Sequence, residues 1–153
     1  MIKIFFFFFL FISCNNYLPN EINSEYIIEK KIIINDIINI NNGGVLIIKS
    51  GAKINFRKKG QFLVNGGKLI FKGNTEDVLI LKPKNKILIN TINNGNLKII
   101  NSKIFNIYVN SVNSKIDIIN SKIFNNFSFF DLKKSNVYID SCLIKGGENY
   151  YFS

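Results

Sequence analysis

Two cysteines and ten acidic residues are the side chains in this sequence that could serve as nucleophiles, proton carriers or metal ligands. No histidine is present to act as the base that activates a thiol, so Cys142 is interpreted as an inert small side chain. A repetitive fold could bring Asp117 and Asp140 close together, and calcium would accept their oxygens. The acids are scattered in sequence, however, and solvated surface acids are the simpler interpretation. We expect no metal site and no cofactor.

Enzymes that cleave polysaccharides need converging carboxylates, often beside a basic residue, because the reaction requires an ionised base and charge stabilisation. The single arginine, Arg57, precedes Lys58 and Lys59 in a segment before Gly60, which indicates a solvated turn. The sequence therefore shows no catalytic constellation, and we expect a protein that is not an enzyme. A minimal polysaccharide-active enzyme is the alternative, and it would require an acid cluster.

The N-terminus begins with Lys3, continues with an apolar run from Ile4 to Ile12, and then places Ser13 directly before Cys14. The run is too short for the roughly 20 residues that cross a bilayer as a helix. This order resembles the signal of bacterial lipoproteins. The resemblance implies export, cleavage before Cys14, lipidation of Cys14, and a protein anchored in a membrane of the cell envelope.

Three segments follow from this interpretation. Residues 1–13 would be the signal peptide, and residues 14–25 would be a tether, because they mix Asn, Pro and Glu without apolar periodicity. Residues 26–153 would form one folded domain. With Cys14 lipidated, Cys142 would have no partner for a disulfide within one monomer.

Basic residues outnumber acidic ones by 20 to 10, and loss of Lys3 with the signal would leave a net charge of +9. Such a charge attracts anionic lipids or polysaccharides. Nucleic acid is not expected as a partner of an exported protein. Anionic glycans are the expected partners, and the candidate contacts are Lys98, Lys103 and Lys122. Dispersed lysines on a solvated surface are the competing interpretation.

An internal repeat indicates the fold. The segment Leu97–Asn106 returns nineteen residues later as Ile116–Asn125, and Val137–Lys145 is a looser copy that lacks one residue before its polar corner. From Tyr26 onward the chain consists of short β-branched segments broken by Gly, Asn and Ser, which is typical of an all-β protein. A period of about twenty residues indicates a solenoid. An antiparallel β-sandwich is the alternative, but it gives no reason for repetition.

Glycines punctuate the earlier segments Val45–Phe56 and Phe62–Gly73. This alternation of apolar segments and glycines, together with the later Ser-x-Ile corners, resembles the sequences of right-handed parallel β-helix surface proteins of the pectate-lyase-like superfold. The resemblance extends over roughly Lys31 to Lys145. The resemblance implies a right-handed parallel β-helix of about five to six coils and carries no catalytic motif.

Alternation within the copies separates inward from outward side chains. The residues predicted to point inward are Leu97, Ile99, Ile116, Ile118, Val137 and Ile139, and those predicted to point outward are Lys98, Asp117 and Tyr138. Asn101, Asn120 and Asp140, followed by Ser102, Ser121 and Ser141, are predicted at equivalent corners. We expect Phe105 and Phe124 to fill the interior. Phe127, Phe129 and Phe130 remain open between core and surface.

Together these features predict a lipid-anchored, non-enzymatic surface protein with a structural or adhesive role. Tyr108 and Tyr138, with the lysines, could contact a polymer without cleaving it. A shortened relative of a larger surface protein is a further alternative. The last copy reaches Lys145, and Gly146 to Ser153 are too few residues for another coil, so the C-terminal end is predicted to mediate self-association.

Overall fold

The computed structural model describes residues 18–125 and 130–146. Over these residues the regular secondary structure consists of eighteen short β-strands, without a helix. Every strand pairing is parallel, and each strand pairs with the strand three places away in the chain or with two such strands. Three strands therefore make one coil and six coils stack. The protein is a parallel β-solenoid, which confirms the predicted β-helix and its number of coils.

The three strands of each coil contribute to three faces, numbered in the order in which the chain visits them. Face 1 contains β1 (Glu21–Ile22), β4 (Ile37–Ile40), β7 (Gln61–Asn65), β10 (Ile87–Ile92), β13 (Ile107–Val112) and β16 (Phe130–Lys133). Face 2 contains β2 (Glu25–Ile28), β5 (Val45–Lys49), β8 (Lys68–Lys72), β11 (Asn96–Ile100), β14 (Lys115–Ile119) and β17 (Asn136–Asp140). Face 3 contains β3 (Lys31–Ile34) and β6 (Lys53–Phe56) as one pair, then β9 (Leu79–Leu81), β12 (Ser102–Phe105), β15 (Lys122–Phe124) and β18 (Leu143–Lys145).

A single apolar core runs through the centre of the coils. On face 2 the register aligns Leu69, Leu97 and Ile116 in one column, and each of them is fully buried. Leu97, Ile99, Ile116 and Ile118 all point inward, as the alternation predicts. Burial of these stacked aliphatic side chains is the main stabilising term, at about 1.5 to 3 kcal/mol for each.

The sixth coil continues the columns but is less covered. Val137 pairs with Ile116 and Ile139 pairs with Ile118, so both occupy the predicted inward column. Ile139 is nevertheless 47% exposed, whereas Ile118 in the fifth coil is fully buried. Among the described residues, no coil stacks on the outer edge of the sixth. Ile139 therefore occupies the predicted inward column but is half exposed, at an end of the solenoid that no other described coil covers.

Asparagine turns the chain at the corners between faces. Asn101 and Asn120 have φ angles of 46° and 51°, in the left-handed region that Asn tolerates better than most residues. The hydroxyls of the following serines, Ser102 and Ser121, each donate to the carbonyl two residues earlier at 2.8 Å. This bond satisfies a carbonyl at the bend and supports the predicted structural role of these corners.

The equivalence predicted for the third copy is wrong by one residue. Asp140 pairs with Ile119 inside the strand ladder, and Ser141, at φ 53°, occupies the position of Asn120. Cys142 then replaces the inward serine, with its Sγ donating to the carbonyl of Asp140 at 3.0 Å. No residue is missing from this copy. Cys142 therefore acts as a corner residue.

The folded body begins earlier than the sequence predicts. Leu18 is buried and Glu21–Ile22 is already a strand, although both lie within the residues 14–25 assigned to a tether. Cys14 and the preceding apolar run lie outside the described residues, so their predicted roles stay predictions. Within the described chain, no helix has the length and apolar character needed to cross a membrane.

Candidate functional site

The fold sorts the charged residues between two sides. We define the basic side as the strands of face 3 together with the described segments that connect each of them to the next coil. It holds one acidic residue, Asp36, and eleven basic ones. The basic residues are Lys31, Lys53, Arg57, Lys58, Lys59, Lys82, Lys84, Lys86, Lys103, Lys122 and Lys145.

The rest of the described chain is electrically balanced. Faces 1 and 2 and their corners contain Lys30, Lys49, Lys68, Lys72, Lys98, Lys115, Lys133 and Lys134, against Glu21, Glu25, Glu29, Glu76, Asp77, Asp117, Asp131 and Asp140. The eight positive charges of these two faces are thus balanced by eight negative charges. The whole net positive charge of the described chain lies on the basic side.

Ion pairs reinforce this separation. Lys49 contacts Glu29 at 2.7 Å, and Asp117 forms ion pairs with both Lys115 at 3.3 Å and Lys98 at 3.7 Å. All of these pairs lie on face 2 or at its end. Within the described part of the chain, Lys103, Lys122 and Lys145 form no ion pair with a carboxylate. Their charges remain available to an external anion.

Phe105 and Phe124 form the centre of the outward surface of face 3. They pair in register on adjacent coils, and their rings stack with centroids 5.1 Å apart and an interplanar angle of 19°. The prediction that these two rings fill the interior is wrong, because both are only partly buried. Ser102 and Ile104 take the inward positions of β12, and strand alternation sends Phe105 outward.

Lysine amines lie over these rings. The Nζ atom of Lys82 is 4.9 Å from the ring centroid of Phe105, and that of Lys103 is 5.6 Å and 5.4 Å from the centroids of Phe105 and Phe124. A cation–π contact restrains an ammonium group without neutralising its charge. The rings therefore position cations at the surface.

Four lysines surround the ring pair. Lys103 pairs with Lys122 in the neighbouring column of face 3, and Lys145 pairs with Phe124 on the sixth coil. Lys82 lies at the opposite end, beside Phe105. We call these six residues the aromatic–lysine patch: Lys82, Lys103, Phe105, Lys122, Phe124 and Lys145.

The three lysines predicted as polyanion contacts do not form one site. Lys103 and Lys122 lie together in the patch, whereas Lys98 lies on face 2 beside Asp117. Tyr108 is on face 1 with the Lys86 amine 4.7 Å from its ring centroid, and Tyr138 is 55% exposed on face 2. Sequence reasoning missed Lys82 and Lys145, which are seen to border the two rings only once the third strand of each coil is placed.

The remaining aromatic residues are divided between core and undescribed positions. Phe130 is partly buried and packs against the apolar core. Phe127 and Phe129 lie outside the described residues. Among the described residues, the phenylalanines that fill the interior are Phe56, Phe62 and Phe71, and the Phe62 ring meets each of the other two edge to face.

An open groove of about 580 Å³ between face 1 and the basic side contains two acids, Glu21 and Asp36, beside Lys58 and Lys59. The Glu21 carboxylate accepts hydrogen bonds from the side-chain amides of Asn39 at 2.7 Å and Asn41 at 2.6 Å. These bonds lower the pKa of Glu21 below its ordinary value. A general acid in glycoside cleavage needs a raised pKa, so this environment does not suit Glu21 to that role.

The two acids considered as calcium ligands, Asp117 and Asp140, do not share a register position. Asp117 pairs with Tyr138, and Asp140 pairs with Ile119, so the two acids are on adjacent coils but offset along the strands. Asp117 already contacts two lysines. No group of three or more acidic or cysteine side chains converges among the described residues.

Comparison of the chain with protein-family models, with curated proteins and with solved structures finds no match of any of the three kinds. Functional inference for this chain therefore depends on its own geometry and charge.

Proposed function

We propose that this protein binds an extended anionic glycan through its basic side and has a structural or adhesive role without catalysis. The observation that carries the proposal is the sorting of charge by the fold, which places eleven basic residues and one acidic residue on one side of a solenoid that is otherwise neutral. Codon bias toward lysine does not explain this sorting, since it would enrich every face alike.

The spacing of the charges suits a polymer. Successive coils lie about 4.8 Å apart, so six coils extend over about 24 Å. Lysines on adjacent coils are closer than the Debye length of roughly 8 Å at physiological salt, and their fields therefore add. A small anion would use one or two of these charges, whereas a polyanion would engage a whole row.

The class of polyanion follows from the N-terminal signal. Lys3, the apolar run and Ser13–Cys14 support an exported, lipid-anchored protein of the cell envelope. Glycans and lipid headgroups are the anions available there, and nucleic acid is not. The residues of a catalytic centre are not part of the proposal.

The test is binding of the domain without its lipid to an immobilised carboxylated or sulfated polysaccharide. We expect binding at low salt that weakens at least tenfold between 50 and 500 mM salt, on the order expected for screened charges. A neutral polysaccharide of similar length is the control and should not bind. Absence of binding to every polyanion at low salt would reject the proposal.

A further inference from the structure

We infer that the aromatic–lysine patch is the principal subsite on the basic side, and that the bound glycan chain crosses it parallel to the solenoid axis. This inference rests on the proposed function and specifies where and in which direction the polymer binds.

Two outward columns of face 3 run along the axis. One column contains Ile80, Lys103, Lys122 and Leu143 in register. The other contains Phe105, Phe124 and Lys145 in register, with Lys82 following β9 at its near end. Lysines thus occupy the middle of the first column and the ends of the second. The result is a ring pair bordered by ammonium groups on several sides.

The direction follows from the dimensions of the face. β12 has four residues and β15 has three, so each presents two outward side chains before the chain turns. Across the strands, by contrast, outward positions recur on each coil at about 4.8 Å. Each of the four coils contributes one lysine to the patch, so a row of cations is available only along the axis. A polymer with regularly spaced anions gains most contacts in that direction.

The stacked rings restrain lysine amines in this part of the basic side. Lys103 contacts both rings and Lys82 contacts one, which restrains ammonium groups that would otherwise lose rotamer freedom on binding. Arg57, Lys58 and Lys59 contribute equal charge from a turn and are exposed, but no ring contact restrains them within the described chain. Preorganisation favours the patch over this turn.

Two triple variants that each remove three positive charges distinguish binding at the aromatic–lysine patch from attraction by the total charge of the basic side. The axial triple is Lys103→Gln, Lys122→Gln and Lys145→Gln, and the turn triple is Arg57→Gln, Lys58→Gln and Lys59→Gln. Binding of sulfated oligosaccharides from two to twelve sugars is measured for both variants and for the original chain. We expect the axial triple to weaken binding of the longest oligomer at least tenfold and to remove its dependence on length, while the turn triple weakens it less than threefold.

Each other outcome is decisive. Equal losses in the two triples, with binding by the original chain intact, would overturn the subsite and leave the proposed function standing. Binding that does not increase with oligomer length would overturn the axial direction. Failure of the original chain to bind any oligomer would overturn the proposed function itself. Thermal unfolding of both triples confirms that they are folded, and the single exposed variant Lys122→Gln repeats the comparison if the axial triple is not.

Discussion

Corner residues show how single side chains shape this fold. Of the eight described non-glycine residues with positive φ, six are asparagine, and the exceptions are Lys134 and Ser141 in the sixth coil. Lys134 follows Lys133, which pairs with Val112, so it occupies the position of Asn113 one coil earlier. A long side chain gains nothing from this conformation, whereas Asn tolerates it.

Lys134→Asn is therefore expected to stabilise the protein by about 0.5 to 1 kcal/mol, because the left-handed conformation costs most residues roughly 1 to 2 kcal/mol. The measurement is the urea midpoint of the domain. Lys133→Asn is the matched control, since Lys133 has the extended conformation of β16. An unchanged or lower midpoint for Lys134→Asn would show that the corner is not strained.

At the scale of the strand, the sequence correctly predicts which side chains of the repeated segments point inward. Leu97, Ile99, Ile116 and Ile118 lie where a period of two residues places them. The expectation that Phe105 fills the interior as a stacked ring is wrong, because the same alternation from Ser102 sends it outward with Lys103. Phe105 points outward because adjacent residues of a strand point to opposite sides, and its neighbour Ile104 points inward.

The concentration of basic residues on one side could not be predicted from the sequence, for a different reason. The third strand of each coil is short, and the segment before β9 is longer than its counterparts at Asn101 and Asn120. Without those boundaries the lysines cannot be assigned to faces. Lys82 and Lys145, which lie far apart in sequence, could not be recognised as members of one patch.

The pleat also provides a paired test on one strand. Ile118 is fully buried, and its neighbour Ile119 points outward. Ile118→Asp should destabilise the protein by several kcal/mol, because it removes apolar burial and places a charge in the core. Ile119→Asp should cost clearly less, on the order of 1 kcal/mol, because the Ile119 side chain is partly exposed, even though it pairs with Asp140. Chemical denaturation gives both values, and equal losses would contradict the inward assignment of Ile118.

At the scale of the molecule, the six described coils form a short rod with one basic side and two balanced faces. Its proposed anchor lies at Cys14, four residues before the buried Leu18. A tether this short would hold the rod close to the surface to which the lipid attaches, since three intervening residues extend at most about 10 Å.

Cys14→Ser is expected to release the protein from membranes, because stable anchoring needs two lipid signals or chains and the substitution removes the attachment atom. Fractionation of cells into membrane and soluble protein measures the change. Cys142→Ser is the control, and it should leave the distribution unaltered. Equal membrane partitioning of Cys14→Ser and the original chain would refute the lipoprotein interpretation.

Self-association through the C-terminal end also stays a prediction. Ile139 and Leu143 in the sixth coil are 47% and 41% exposed, which agrees with an end that another surface could cover. Sedimentation of the domain without its lipid should show a dimer that deletion of residues 149–153 or Ile139→Asp weakens. A monomer at high concentration, unaffected by either change, would exclude this interface.

Protection of lysines from acetylation, with and without a bound anionic polysaccharide, tests the central claim most directly. Lys103, Lys122 and Lys145 on the basic side are compared with Lys49, Lys68 and Lys72 on face 2, which are also partly or fully exposed. We predict that the polysaccharide slows acetylation of the first three by at least threefold and leaves the second three unchanged. Equal protection of both sets, or protection confined to face 2, would contradict binding through the basic side.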